Sequence, residues 1–161
     1  MSEILDIDDF KDLRQEGKYY VDKTRHLYRL AASQEPHFIS RPPSLGKTIL
    51  ASSLEAVLRG RRDLFGGTWI HDSDYDWRPR PVISLSLDYS WSDTANALKL
   101  CLTRKLSSLA EIEGLTLEES GPGKALETII KQMSDKHGCE TAVIIDGCDA
   151  PIMKKRSWTR G

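Results

Sequence analysis

The chain has 161 residues, the size of one ordinary domain. Hydrophobic residues make up 39% and charged residues 29%, which supplies a core and excludes a disordered chain. A net charge of −1 leaves no global field to hold nucleic acid or an anionic membrane. The longest apolar run, Ala142-Val143-Ile144-Ile145, falls far short of the ~20 residues of a membrane span. Met1 to Asp6 are acidic and carry no apolar signal core, and Cys101, Cys139 and Cys148 are odd in number and scattered. A reduced, cytoplasmic protein is therefore expected.

In chain order, residues 8–32 read as polar and partly helical, with Leu27 and Leu30 as a short apolar side. His37-Phe38-Ile39-Ser40 reads as a strand closed by Arg41-Pro42-Pro43, because proline cannot extend a ladder. From Lys47 the period becomes helical: Leu50, Leu54, Val57 and Leu58 recur on one side, and Gly60 stands where a helix C-terminus favours glycine. A loop rich in Gly, Asp and Trp covers 61–81, and Val82 to Leu87 is a strand. A helix follows a cap at Ser92 or Asp93, with a stripe of Leu98, Leu102, Leu106 and Leu109. Another starts after Gly121-Pro122, carries Leu126, Ile129, Ile130 and Met133, and ends at Gly138. Ala142 to Ile145 lacks polar alternation, the mark of a strand buried on both faces of a helix-covered parallel sheet. Strands alternating with helices predict an α/β domain.

The chemistry concentrates in Arg41-Pro42-Pro43-Ser44-Leu45-Gly46-Lys47-Thr48. This is the second half of a Walker A phosphate loop, with Arg41 in place of the leading glycine. Gly46 allows close backbone approach, and amides at the start of the following helix point toward an anion. Lys47 would reach the outer phosphates and the Thr48 hydroxyl would sit on Mg²⁺. A Gly-Lys-Thr triplet alone is weak, but here it follows a strand and opens an amphipathic helix. Ala142 to Asp146 supplies the matching Walker B pattern, an aspartate closing an apolar run where it can hold Mg²⁺. Asp146-Gly147 is also a common turn pair, and the upstream phosphate loop is what favours the metal.

At these residues the sequence resembles the predicted AAA-ATPase-like proteins of microbial genomes. The likeness runs through Asp9-Phe10, Leu13-Arg14, Gly17, Tyr20-Val21-Asp22-Lys23-Thr24, Phe38-Ile39-Ser40-Arg41-Pro42, Gly46-Lys47-Thr48, Ser53-Leu54 and Leu64-Phe65. It continues in Trp77, Pro81-Val82-Ile83, Asp88, Ile144-Ile145-Asp146 and Asp149-Ala150-Pro151-Ile152. The resemblance implies a P-loop NTPase fold, a three-layer α/β/α arrangement around a mostly parallel sheet, with ATP and Mg²⁺ as cofactors. It implies nucleotide contacts at Ser44, Leu45, Gly46, Lys47 and Thr48, and Mg²⁺ at Thr48 and Asp146. Arginine at the position of Arg41 is common in the family. Three departures stand out. Pro43, Ser44 and Leu45 replace two basic residues and an aromatic. Gly147-Cys148 replaces the Walker B glutamate and the aromatic after it, so little hydrolysis is expected. The likeness stops at about Ile152, where relatives continue and often end in a restriction-endonuclease-like domain.

Residues 1–152 are thus expected to form a partial AAA-like domain, with 153–161 as a basic tail outside the match. Its sheet would be incomplete at the C-terminus, since a later strand of the family architecture separates the phosphate-loop strand from Walker B. A truncated gene product and one part of a split system are both compatible with this. The alternative function is a non-enzymatic interaction module or decayed remnant needing a partner segment to complete its sheet. A small P-loop kinase is a weaker third reading, lacking an arginine-bearing lid. Asp72, Asp74 and Asp76 alternate as in a calcium loop, but Trp77 and Ile83 occupy its glycine and glutamate positions. His26, His37, His71 and His137 show no ligand spacing. The tail Lys154-Lys155-Arg156-Ser157-Trp158-Thr159-Arg160 reads as solvated rather than as a nucleic-acid contact. Tyr19 to Thr24 has no chemical role that its residue types supply.

Overall fold

The computed structural model describes residues 9–40, 45–87, 94–117 and 121–148. Its contacts divide the chain into two units, Met1–Arg80 and Pro81–Gly161.

The first unit begins with α1, Phe10–Gln15. Asp9 caps it, its carboxylate accepting from the N–H of Lys11 at 2.7 Å and of Asp12 at 3.2 Å. The remaining orphan donor of the first turn, the Phe10 N–H, is satisfied by Ser52 Oγ at 3.0 Å. Six residues cannot hold a helix alone in water, where ~12–15 are marginal, so docking is what makes α1 a helix. In α2, Thr24–Ala32, Leu27 is fully buried and Leu30 half-buried. The helical period after Gly46 gives α3, Lys47–Leu58, with Val57 and Leu58 buried and Leu50 and Leu54 half-buried.

Gly60 ends α3 as expected. It adopts φ +70°, its N–H donates to the Val57 carbonyl at 3.0 Å, and the Arg61 N–H donates to the Ala56 carbonyl at 2.9 Å. These two bonds are the paired closure of a left-handed glycine cap. The loop expected over 61–81 contains two 3-10 turns, Arg62–Phe65 and Trp69–Asp72. Phe65 and Ile70 from these turns are fully buried with Phe10, Leu27 and Val57. Seven rings form a chain of contacts through this core: Tyr20, Phe10, Phe65, Trp77, Tyr75, Tyr28 and Trp69, with centroids 4.8 to 5.8 Å apart.

Residues 37–40 form no strand, contrary to the sequence expectation. A strand exists through its ladder, and no strand among the described residues pairs with this segment. Its apolar side chains are accordingly uncovered, Phe38 at 79% and Ile39 at 38% exposure.

The second unit is a β-α-α-β arrangement: β1 (Val82–Ser86), α4 (Ala95–Glu113), α5 (Pro122–His137) and β2 (Ala142–Asp146). Thr94 caps α4 by accepting from the Ala97 N–H at 3.2 Å, whereas the caps expected at Ser92 or Asp93 lie outside the described residues. Pro122 opens α5 and Gly138 closes it at φ +65°, as the sequence indicates. The strands pair in parallel, Val82 with Ala142 through Ser86 with Asp146. Parallel pairing joined by helices establishes a mixed α/β fold, with a two-stranded sheet among the described residues.

Helices α4 and α5 cover β1. Ile83 and Leu85 pack against Leu106, Ala110, Ala125, Ile129 and Met133. Residues in register share a face, so Val143 and Ile145 of β2 stand beside Ile83 and Leu85. The helices do not close over them, and they keep 37% and 47% of their surface exposed. The expectation that β2 is buried on both faces is therefore corrected: Val143 and Ile145 are uncovered on the face where Ile83 and Leu85 are buried.

Candidate functional site

Gly46, Lys47 and Thr48 form the head of α3. Gly46 is its N-cap at φ +70°, a left-handed conformation that favours glycine, and its carbonyl accepts the first helical bond from Leu50 N–H at 3.0 Å. No side chain among the described residues caps this end. The first turn lies at the positive end of a twelve-residue helix. Leu45 is 53% exposed, Thr48 is exposed and Lys47 is half-buried in the first turn. Ser44, with Arg41, Pro42 and Pro43, lies outside the described residues.

One turn further along, α3 is tied down through Ser52 and Ser53. Ser52 Oγ receives the Phe10 N–H and donates to the Ile49 carbonyl at 3.2 Å. Fully buried Ser53 donates to the same carbonyl at 2.6 Å, and its hydroxyl acts on the Tyr20 phenol. Burial pushes the Tyr20 phenol above its ordinary range, with the Ser53 hydroxyl acting in the other direction. Arg14 of α1 donates from Nε to the Leu64 carbonyl at 2.8 Å and from its terminal nitrogen to the Gly66 carbonyl.

The Tyr20 to Thr24 motif has a structural role that its residue types did not disclose. The Asp22 carboxylate accepts from the Thr24 N–H at 2.8 Å, from Thr24 Oγ1 at 2.6 Å and from the Trp69 N–H at 2.8 Å. Thr24 Oγ1 in turn accepts from the Ile70 N–H at 3.0 Å. Burial alone would raise the Asp22 carboxyl, but the Thr24 and Trp69 donors together hold it below its ordinary range. The partner residues lie 46 and 47 positions away, a separation that no local pattern reveals.

In the second unit, Asp146 ends β2 half-buried, and its carbonyl accepts from the Leu87 N–H at 2.8 Å. Gly147 follows at φ +72° and Cys148 is exposed. Lys105 of α4, which sequence reasoning passed over, reaches this end of the sheet. Its Nζ donates to the carbonyl of Ser86, the register partner of Asp146, at 2.6 Å.

The residues set aside in the sequence are otherwise engaged. Asp72 pairs with His71 at 2.8 Å, Asp74 acts on the Tyr28 phenol and raises its pKa, and Asp76 pairs with Arg78 at 2.9 Å. Trp77 packs between Phe65 and Tyr75. Among the described residues no group of three or more His, Cys, Asp or Glu side chains is placed to hold a metal ion. The three cysteines are free thiols. No helix among the described residues is long and apolar enough to cross a membrane.

A curated relative, described as an uncharacterized protein in the vnfD 5′ region of Azotobacter chroococcum mcd 1, is 27% identical over 151 residues. That match covers 92% of this chain, and the chain spans 29% of the relative's length. No solved structure matches. The family model described as Predicted AAA-ATPase matches residues 5–159, past the Ile152 at which the motif-by-motif likeness stops. With nearly every residue inside that match, the chain belongs to the AAA-ATPase-like family.

Proposed function

We propose that the chain binds Mg-ATP at the head of α3 and turns it over slowly. The observation that carries this reading is Gly46, a left-handed N-cap at the head of a twelve-residue helix, immediately before Lys47 and Thr48. Leu45 and Gly46 would donate backbone N–H groups to phosphate, with Ser44 contributing to the same loop. Lys47 would neutralise the outer phosphates, and Thr48 Oγ1 and the Asp146 carboxylate would be the protein's Mg²⁺ ligands. A hydroxyl and one carboxylate suit Mg²⁺, a hard ion that keeps several waters and takes its remaining ligands from phosphate. When bound, the ion would supply positive charge that offsets the charge of the phosphates. Gly147 offers no side chain to orient or deprotonate an attacking water, and loss of such a base costs ~10²–10⁴-fold in rate. A complete three-layer P-loop architecture is part of the same proposal.

Ligand-dependent melting tests it. A ligand at a hundred times its Kd stabilises by about 2.7 kcal/mol, or roughly 5–10 °C for a chain of this size. Mg-ATP should raise the wild-type melt by such an amount and leave Lys47→Ala unmoved. An equal shift in Lys47→Ala would reject the assignment.

A second reading rests on a different observation, the uncovered Val143 and Ile145 beside the buried Ile83 and Leu85. An apolar strip of this kind favours an interaction module whose sheet is completed by another protein segment. No Mg-ATP shift in the wild type would favour that reading over the first.

A further inference from the structure

We infer that residues 9–20 form a strap whose docking on α3 is coupled to nucleotide occupancy at the head of the same helix. Ser52 and Tyr20 are the positioning residues. The inference rests on the nucleotide-binding reading and adds a mode of regulation to it.

Helix α1 is too short to persist undocked, so its order depends on a few contacts. Two of these bear on α3: the Phe10 N–H bonds Ser52 Oγ at 3.0 Å, and the Tyr20 phenol interacts with the Ser53 hydroxyl. The Phe10 ring, fully buried, sits against Tyr20 at 5.0 Å and Phe65 at 4.8 Å. Ser52 is one helical turn beyond Thr48 and lies on the same side of α3. A single rigid helix therefore carries the proposed phosphate ligands in its first turn and the strap's anchor in the next. Docking that fixes the helix favours whatever binds its head, and linkage makes the effect reciprocal: nucleotide must tighten the strap by the same factor.

The experiment uses the full chain, with Mg-ATP titrated by calorimetry and hydrogen exchange read at the Phe10 amide. Ser52→Ala removes the acceptor, Tyr20→Phe removes the phenolic hydroxyl while keeping the ring, and Ser52→Thr retains a hydroxyl. We expect Mg-ATP to slow exchange at Phe10 in the wild type. We expect Ser52→Ala and Tyr20→Phe to weaken Mg-ATP binding about fivefold each, the scale of one hydrogen bond, and Ser52→Thr to recover it. If the wild type binds Mg-ATP but Phe10 exchange ignores it and Ser52→Ala binds equally well, the coupling is wrong and the nucleotide site survives. If the wild type binds no Mg-ATP, both fall together.

Discussion

Gly46 and Gly60 flank α3 with the same φ of +70° but opposite surroundings, so one substitution made at each separates two physical costs. A β-carbon built on Gly46 meets nothing within 4 Å. One built on Gly60 would lie 2.5 Å from the Trp77 carbonyl oxygen, 3.1 Å from Pro79 Cγ and 3.3 Å from Pro79 N. Gly46→Ala therefore pays left-handed strain alone, about 1–2 kcal/mol. Gly60→Ala bears the same strain plus a collision with backbone that cannot rotate away, for which overpacking adds about 1–3 kcal/mol. At roughly 2–4 °C per kcal/mol for this chain length, the Gly60 variant should melt several degrees below the Gly46 variant. Because the chain has two units, hydrogen exchange at Arg80, whose N–H donates to the Leu58 carbonyl at 2.8 Å, keeps the measurement on the right one. Equal destabilisation of the two variants would refute the close approach of the 77–79 segment to Gly60.

Three further outcomes follow from the geometry. Asp22 is held below its ordinary carboxyl range, so its stabilisation is complete above about pH 4 and drains away as pH falls through the lower folded value. Melts at pH 7 and pH 3 should show a larger loss for wild type than for Asp22→Asn, which at pH 7 costs on the order of 1 kcal/mol, since the group is largely solvent-accessible. Asp9→Ala should cost about 1 kcal/mol in urea unfolding by leaving the Lys11 and Asp12 amides without their acceptor, and Asp9→Ser should recover most of it. Gly147→Glu restores a Walker B acid at a residue with φ +72°, so a stability loss of about 1–2 kcal/mol should accompany any gain in phosphate release from Mg-ATP. An unchanged melt would contradict the left-handed conformation there.

Local signals carried most of what was legible. The period of α3, its closing Gly60, Pro122 at the start of α5 and Gly138 at its end are all decided within a few residues, and each stands where the pattern puts it. What failed depended on distant partners. His37 to Ser40 has strand-forming residues, but pairing is a property of two segments, and none among the described residues supplies the other half. The unbroken apolar run of β2 promised cover on both faces, while the helices close only over Ile83 and Leu85. At the candidate site, the start of α3 after Gly46 was readable because a glycine N-cap is a local backbone device. The role of Asp22 was not, since its meaning lies in amides at residues 69 and 70. Lys105 was hidden for the same reason, one lysine among many until α4 brings it to the carbonyl of Ser86.

The chain of seven rings has a consequence for the timing of folding. Its links include Phe10 to Phe65, Tyr28 to Trp69 and Tyr28 to Tyr75, so three of the six close loops of more than forty residues. Such contacts form slowly, because each must first overcome the entropy of bringing remote segments together. During synthesis the first unit would stay open until Trp77 had left the ribosome, with α1 and its phenylalanine waiting unburied for a partner more than fifty residues downstream.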